Sequence, residues 1–240
     1  MKKLIIAVVI GLFCSAIALS SLTVSAAGPS IPLDKANNDL SDKESLKKGF
    51  KTYVNYCLGC HQLQYQRYNR TFTDLGIEEA DGVANYMYTG DKVGGHILNT
   101  MPKNESAKWF GVTPPDLTLQ ARLKSPDWIY TYLRGFYLDE ARPYGVNNTV
   151  IKDVGMPHVL QDLQGVSTLN EQGEFSPAMG GTLTTEEYDV VIRDLTNFLE
   201  YVGEPNKLER KSIGYGVLLF IFIFFIIAYF LKKEYWKDIH

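Results

Sequence analysis

The sequence predicts a mainly α domain with long irregular connections, carried on one C-terminal membrane-spanning helix. Three observations lead there. Segments opening near residues 41, 125 and 184 begin with helix-capping residues and then repeat apolar side chains at helical spacing. The stretches between them, 74–113 and 136–182, show no clear period and carry many of the Gly, Asn and Pro residues. Finally, the 19 residues from Ile213 to Leu231 contain no charge.

Taken in order, Met1-Lys2-Lys3, the apolar run Leu4 to Leu19 and the small residues Ser25-Ala26-Ala27 form a signal-peptide pattern. Residues 1–27 are expected to be removed at Ala26 or Ala27, and Cys14 leaves with them. Residues 28–205 then form the main domain, beginning with an extended arm over 28–40. The first helix opens on a capping-box pattern, Ser41-Asp42-Lys43-Glu44. Leu46, Phe50, Tyr53, Val54 and Cys57 recur on one of its faces, so it delivers Cys57 to a buried side.

That helix ends in Cys57-Leu58-Gly59-Cys60-His61, two thiols two residues apart followed at once by a histidine. This is the pattern for covalent attachment of a c-type haem. The cysteines can add across the two vinyl groups, and His61 then falls where its imidazole can bind the iron as proximal ligand. A redox cysteine pair would not need the histidine. A zinc site needs about four ligands, and only His96, His158 and His240 remain as further histidines, with no second cysteine pair. The expected cofactor is one covalently bound haem c, with both remaining cysteines used in thioethers. A buried cofactor also accounts for so much irregular chain, because it replaces part of the core.

Beyond the motif, the polar and aromatic stretch 62–72 places Tyr65 and Tyr68 close together. Ala107-Lys108-Trp109-Phe110-Gly111 offers aromatics to cover a haem edge, and Pro114-Pro115-Asp116-Leu117 forms a rigid extended turn. Ser125-Pro126-Asp127 starts the second helix as cap, first-position proline and first-turn acid. Trp128, Ile129, Tyr132 and Leu133 supply its apolar side before Gly135 stops it. The third helix opens on Thr184-Thr185-Glu186-Glu187, lines Tyr188, Val191, Leu195, Phe198, Leu199 and Val202 along one face, and closes at Gly203 and Pro205. Residues 206–212 link it to the membrane helix, 213–231, which at ~1.5 Å per residue spans roughly 28 Å, close to a hydrocarbon core. Residues 232–240 form a tail expected in the cytoplasm, since the signal peptide places the domain outside. No internal repeat and no second haem motif is present.

The net charge of −3 conceals an acidic domain: residues 28–205 hold 16 Lys and Arg against 24 Asp and Glu, a net −8. Such a surface would attract a basic protein partner in a salt-dependent way, and no nucleic-acid partner is expected. No residue reads as a general acid, base or nucleophile, so no catalytic residue is assigned.

An electron carrier usually closes the sixth coordination position of its iron. The remaining donors are Met87, Met101, Met156, Met179, His96 and His158. Met-Pro pairs stand at 101–102 and 156–157, and proline forces the residue before it into the extended form suited to a strap. Met156 is favoured because Gly155 permits close backbone approach, with Met101 next. His158, beside Pro157, is expected to be an exposed strap residue.

The ordered set of motifs resembles the cytochrome c1 family in its bacterial form, the haem subunit of the ubiquinol–cytochrome c reductase (bc1) complex. Gly49-Phe50-x-x-Tyr53-x-x-x-Cys57-x-x-Cys60-His61 is similar to the family's haem-attachment helix, and Tyr65 and Tyr68 sit where it tends to carry tyrosines. Pro114-Pro115-Asp116-Leu117 is similar to its proline turn against the haem edge, and Gly155-Met156-Pro157 to its axial-methionine strap. The resemblance implies a cytochrome c-like haem domain in which Pro115 borders the haem and Arg122 binds a propionate. By the same resemblance, Trp128 takes a place that the family pattern also gives to tyrosine. It further implies cytochrome b and the Rieske iron–sulfur protein as companions, with a c-type cytochrome as electron acceptor. The haem domain would stand on the periplasmic side of the bacterial inner membrane, anchored in lipid by a single pass. Other readings of the same motifs are the haem subunit of a different oxidase or reductase, and an open-site haem sensor or enzyme.

Overall fold

The computed structural model describes residues 31–237, and the chain divides into a unit of residues 1–32 and a unit of residues 33–240. All of the described secondary structure lies in the second unit. The expected signal peptide, 1–27, lies outside the described residues, as do residues 238–240 of the expected tail.

The first helix, α1 (Lys43–Thr52), is capped one residue later than the sequence pattern suggests. Asp42 accepts from the amides of Glu44 and Ser45 at 3.1 and 3.0 Å, while the Ser41 hydroxyl turns back to Asp39. A carboxylate can satisfy two orphan amides at once and carries the charge that a helix N-terminus favours, so it displaces the serine. A π-helical turn, Tyr53–Cys57, continues α1 into the motif. The predicted stripe is the buried face: Leu46, Phe50, Tyr53, Val54 and Cys57 all lie in the core.

After the motif come strand β1 (Leu63–Arg67) and helix α2 (Tyr68–Leu75), then α3 (Glu79–Tyr86), β2 (His96–Ile97) and α4 (Lys103–Phe110). β1 and β2 pair antiparallel, with an irregular register between Leu63↔Ile97 and Arg67↔His96. Helices α3 and α4 lie in the stretch 74–113, where the sequence shows no clear period. Within them only Gly82 and Ser106 are buried, so neither shows the apolar stripe that betrays a helix in sequence. Helix α5 (Gln120–Lys124) leads through Ser125 into α6 (Pro126–Arg134). Ser125 caps α6 as predicted, accepting from the Trp128 amide at 3.2 Å.

The hairpin β3 (Phe136–Leu138) and β4 (Val146–Asn148) and the short α7 (Gln161–Gln164) interrupt the irregular stretch that follows. Helix α8 (Thr185–Gly203) has the predicted capping box: Thr184 Oγ1 accepts from the Glu187 amide, and the Glu187 carboxylate accepts from the Thr184 amide.

The core forms where α1 crosses α8. Phe50 stacks on Phe198 with ring centroids 5.0 Å apart, and Tyr53 lies 5.7 Å from the same ring. Gly49 makes that approach possible, because a Cβ there would fall 2.0 Å from the Asp194 carbonyl oxygen. The N-terminal arm is pinned to this core rather than loose. The Ala36 amide donates to Asp127, Arg134 pairs with Asp34, and Asn197 donates to the Asp39 carbonyl.

The last helix, α9 (Lys207–Tyr235), runs unbroken through both the expected linker and the expected span. Among the described residues it is the one helix long and apolar enough to cross a membrane, and none of its residues is buried against protein. Only residues 204–206 separate α8 from α9. Ion pairs from Lys207 to Glu200 and from Arg210 to Glu204 bridge the joint.

Candidate haem-binding site

The motif sits where the π turn ends. The Cys60 and His61 amides both donate to the Cys57 carbonyl, at 3.0 and 2.8 Å, which folds Cys57, Cys60 and His61 into one tight turn. The Tyr53 hydroxyl donates to the His61 carbonyl at 2.6 Å and holds the turn against the core.

His61 is oriented by the proline turn. Its Nδ1 lies 2.7 Å from the Pro115 carbonyl, which can only accept, so Nδ1 carries the proton and the Nε2 lone pair is left for a metal. Burial holds the imidazole below its ordinary pKa, so it is neutral, as a ligand must be. The carbonyl is itself fixed in place. Asp116 accepts from the Gln64 amide at 2.8 Å and from the Thr118 amide at 2.9 Å, and the Leu117 amide donates to the Gln62 carbonyl.

Cys57, Cys60, His61, Pro115, Trp128 and Met156 all line a single cavity of about 490 Å³ whose wall is almost wholly apolar. The rest of that wall comes from Tyr56, from Phe110 and the loop to Leu117, from α5, from Ile129, Tyr132 and Leu133 of α6, from the 151–159 strap, and from Leu195 and Leu199 of α8. An apolar macrocycle fits such a lining. A second cavity of about 500 Å³, bordered by Asp34, Arg134 and Asp189 with several hydroxyls, does not.

The rival uses of the motif fare worse. Burial pushes the Cys57 thiol up to about 12 and raises Cys60 as well, the reverse of the depressed values of redox cysteine pairs. Among the described residues no three His, Cys, Asp or Glu side chains cluster as a metal site.

Met156 reaches the cavity on a strap clamped at several points. Asn148 donates to the Tyr132 carbonyl at 2.8 Å and accepts from the Val150 amide, Asn147 accepts from the Asp153 amide, and Arg142 donates to the Asp153 carbonyl. Gly155 permits the close approach predicted for it, although the neighbour is the Phe110 carbonyl, 2.6 Å from where a Cβ would stand. The Tyr132 hydroxyl donates to Met156 Sδ at 3.3 Å.

The other sequence candidates lie elsewhere. Met87, Met101, Met179 and His96 do not line the cavity, and neither does His158. His158 also corrects the expectation of exposure: it is 8 % exposed, stacked on Phe136 at 4.8 Å, and burial pushes its pKa down to about 4. Arg122 does not border the cavity, and its stem lies near Gly203. Of the aromatic pair at 109–110, Phe110 lines the cavity while Trp109 stands 54 % exposed.

Sequence reasoning missed Gln120 and Lys124, both on the cavity wall, with Lys124 Nζ 5.5 Å from the centre of the Trp128 ring. Their spacing of four residues on α5 was a usable signal. It missed as well the second role of Tyr132, whose partner is 24 residues away.

The Cytochrome C1 family model matches residues 35–239. The cytochrome c1 of Allochromatium vinosum is 49 % identical over 251 aligned positions that cover 100 % of both chains. A protein named ammonia monooxygenase gamma subunit, from Nitrosomonas europaea, is 45 % identical over 94 % of this chain and 96 % of its own. The cytochrome c1 of Rhodobacter capsulatus is 24 % identical over 81 % of this chain and 83 % of its own. The match spans both the haem motif and the terminal helix. The chain therefore belongs to the cytochrome c1 family, as a haem c-bearing, membrane-anchored electron-transfer subunit of the bc1 complex.

Proposed function

We propose that Cys57 and Cys60 hold the haem through thioether bonds, and that His61 and Met156 are its two axial ligands. The observation that carries this reading is the common cavity, into which His61 turns with its Nδ1 proton already given to the Pro115 carbonyl. Bound haem supplies one-electron exchange between ferrous and ferric iron. The chain fixes the imidazole, excludes water with Leu195, Leu199 and the strap, and keeps the thioether on a clamped loop. Lys124 and Trp128 both line the cavity, and an ammonium and an indole N–H are donors of the kind an anionic propionate would need. Arg122 remains a propionate candidate through the family resemblance.

Electrons arrive from the Rieske iron–sulfur protein and leave to a c-type cytochrome, with cytochrome b in the same assembly. Family membership supports this order. Quinol chemistry belongs to those companions, and this subunit is not an enzyme by itself. The signal-peptide pattern supports removal of residues 1–27 and a periplasmic haem domain over 28–205, with α9 crossing the bacterial inner membrane once.

Denaturing electrophoresis with haem staining is the direct test. Haem should migrate with the wild-type chain and be weakly held in Cys57→Ser or Cys60→Ser, and extractable haem in wild type would refute covalent attachment. A second reading, the haem subunit of another oxidase or reductase, draws on the name of the N. europaea relative. Purification in mild detergent separates the two. Cytochrome b and a Rieske protein as companions favour the first, and monooxygenase subunits favour the second.

A further inference from the structure

Tyr132 has a ring that α6 packs and a hydroxyl that packing does not explain. The ring is 8 % exposed, stacked on Trp128 at 5.1 Å and set edge-on to Phe136 at 5.4 Å. Its hydroxyl donates to Met156 Sδ at 3.3 Å. Asn148 keeps the two at this separation, because its side chain joins the Tyr132 carbonyl to the first residues of the strap. The donor and the sulfur are thus parts of one braced unit.

We propose that Tyr132 is a positioning residue for the electron-transfer site, whose hydroxyl withdraws electron density from the Met156 sulfur and thereby raises the haem's reduction potential. The inference rests on the reading of Met156 as sixth ligand. A thioether sulfur has two lone pairs, so it can accept a hydrogen bond while donating to a metal. Density given to the hydroxyl proton is density withheld from iron. The loss weighs more on the electron-poor ferric state, so the ferrous state is favoured. Hydrogen bonding in the shell behind the ligands is one of the levers by which a protein tunes haem potential.

Tyr132→Phe in the full-length, detergent-solubilised protein removes the donor and keeps the ring. The variant should retain its haem and the far-red methionine–ferric absorption band. A hydrogen bond of ordinary strength felt in one iron state only should move the ferrous/ferric equilibrium about fivefold toward ferric. At 59 mV per decade for one electron, this lowers the midpoint potential by about 40 mV. The band should also survive to higher pH, because the sulfur binds ferric iron more strongly. Site-specific 3-fluorotyrosine at 132, a stronger donor of nearly the same shape, should move the potential the opposite way and keeps the test open if the phenylalanine variant folds poorly. An unchanged or raised potential in Tyr132→Phe, or an unchanged potential with fluorotyrosine, would overturn the proposal. Survival of the far-red band in Met156→Leu would instead remove the ligand reading beneath it.

Discussion

The proline turn that grips His61 is held by the Leu117–Gln62 backbone bond and by one carboxylate, and Asp116→Ala removes the carboxylate. Asp116 accepts two backbone amide bonds, from Gln64 at 2.8 Å and Thr118 at 2.9 Å. Hydrogen bonds to a charged group contribute about 1.5–3 kcal/mol each when dry. Asp116 is half-buried, so water replaces part of what is lost, and about 2–3 kcal/mol in total is the expected cost of the alanine. Asp116→Asn keeps one acceptor oxygen and should cost about half as much. The second consequence is electronic. The Pro115 carbonyl makes the imidazole a stronger donor by accepting its Nδ1 proton, which favours ferric iron. Loosening that carbonyl should raise the reduction potential in the order wild type, Asn, Ala. Denaturant unfolding and redox titration of the three purified proteins read the two effects. If Asp116→Ala unfolds at the wild-type midpoint, or unfolds early with no change in potential, the carboxylate does not position the carbonyl.

Met156→Leu keeps side-chain volume, so packing should change by less than about 1.5 kcal/mol; the variant should fold and retain haem, lose the far-red band, gain carbon monoxide binding and show a markedly lower potential. Gly49→Ala places a methyl 2.0 Å from the Asp194 carbonyl oxygen and should cost 3 kcal/mol or more, at or beyond the usual upper range for overpacking, measured by thermal unfolding. His158 has a folded pKa of about 4 because burial disfavours its charge, so the unfolded chain takes up the proton first as pH falls. His158 should therefore contribute up to about 3 kcal/mol of stability that is gained as pH rises from about 4 to 6.5 and is constant above, a contribution that His158→Leu should subtract from the slope. Electron transfer to a basic cytochrome should slow as salt rises if the −8 of residues 28–205 forms a docking surface, and a rate independent of ionic strength would remove that steering.

What was legible in the sequence was local or periodic. The haem motif, the Ser125 cap and the Thr184–Glu187 capping box each depend on residues within a few positions, and the α1 stripe repeats over three turns. The place of Met156 on the cavity wall has a local signal too, because Gly and Pro on either side constrain the backbone there. The remainder depends on partners distant in sequence. Helices α3 and α4 present no apolar stripe, so nothing local marks them. His158 reads as an exposed strap residue until Phe136, 22 positions earlier, folds over it. Tyr132 fits the apolar stripe of α6 so well that its hydroxyl goes unnoticed until the strap brings a sulfur to it. Gly49 is an unremarkable helix glycine until α8 lies against it.

The short joint between α8 and α9 has a mechanical consequence. Three residues, two ion pairs and the backbone bonds from Lys207 to Glu204 and from Arg210 to Asn206 leave the connection few free torsions. With α9 in a bilayer, so short a joint would make the anchor a stalk rather than a leash, and the height of the cavity above the lipid would follow from the joint's geometry. A flexible tether would let the haem domain search for its partners at a high effective concentration. A stiff one gives up that search and leaves the approach to the motion of whatever docks on the domain. Inserting a few Gly and Ser residues at 204–206 would convert the stalk into a leash and transfer part of that motion to the haem domain.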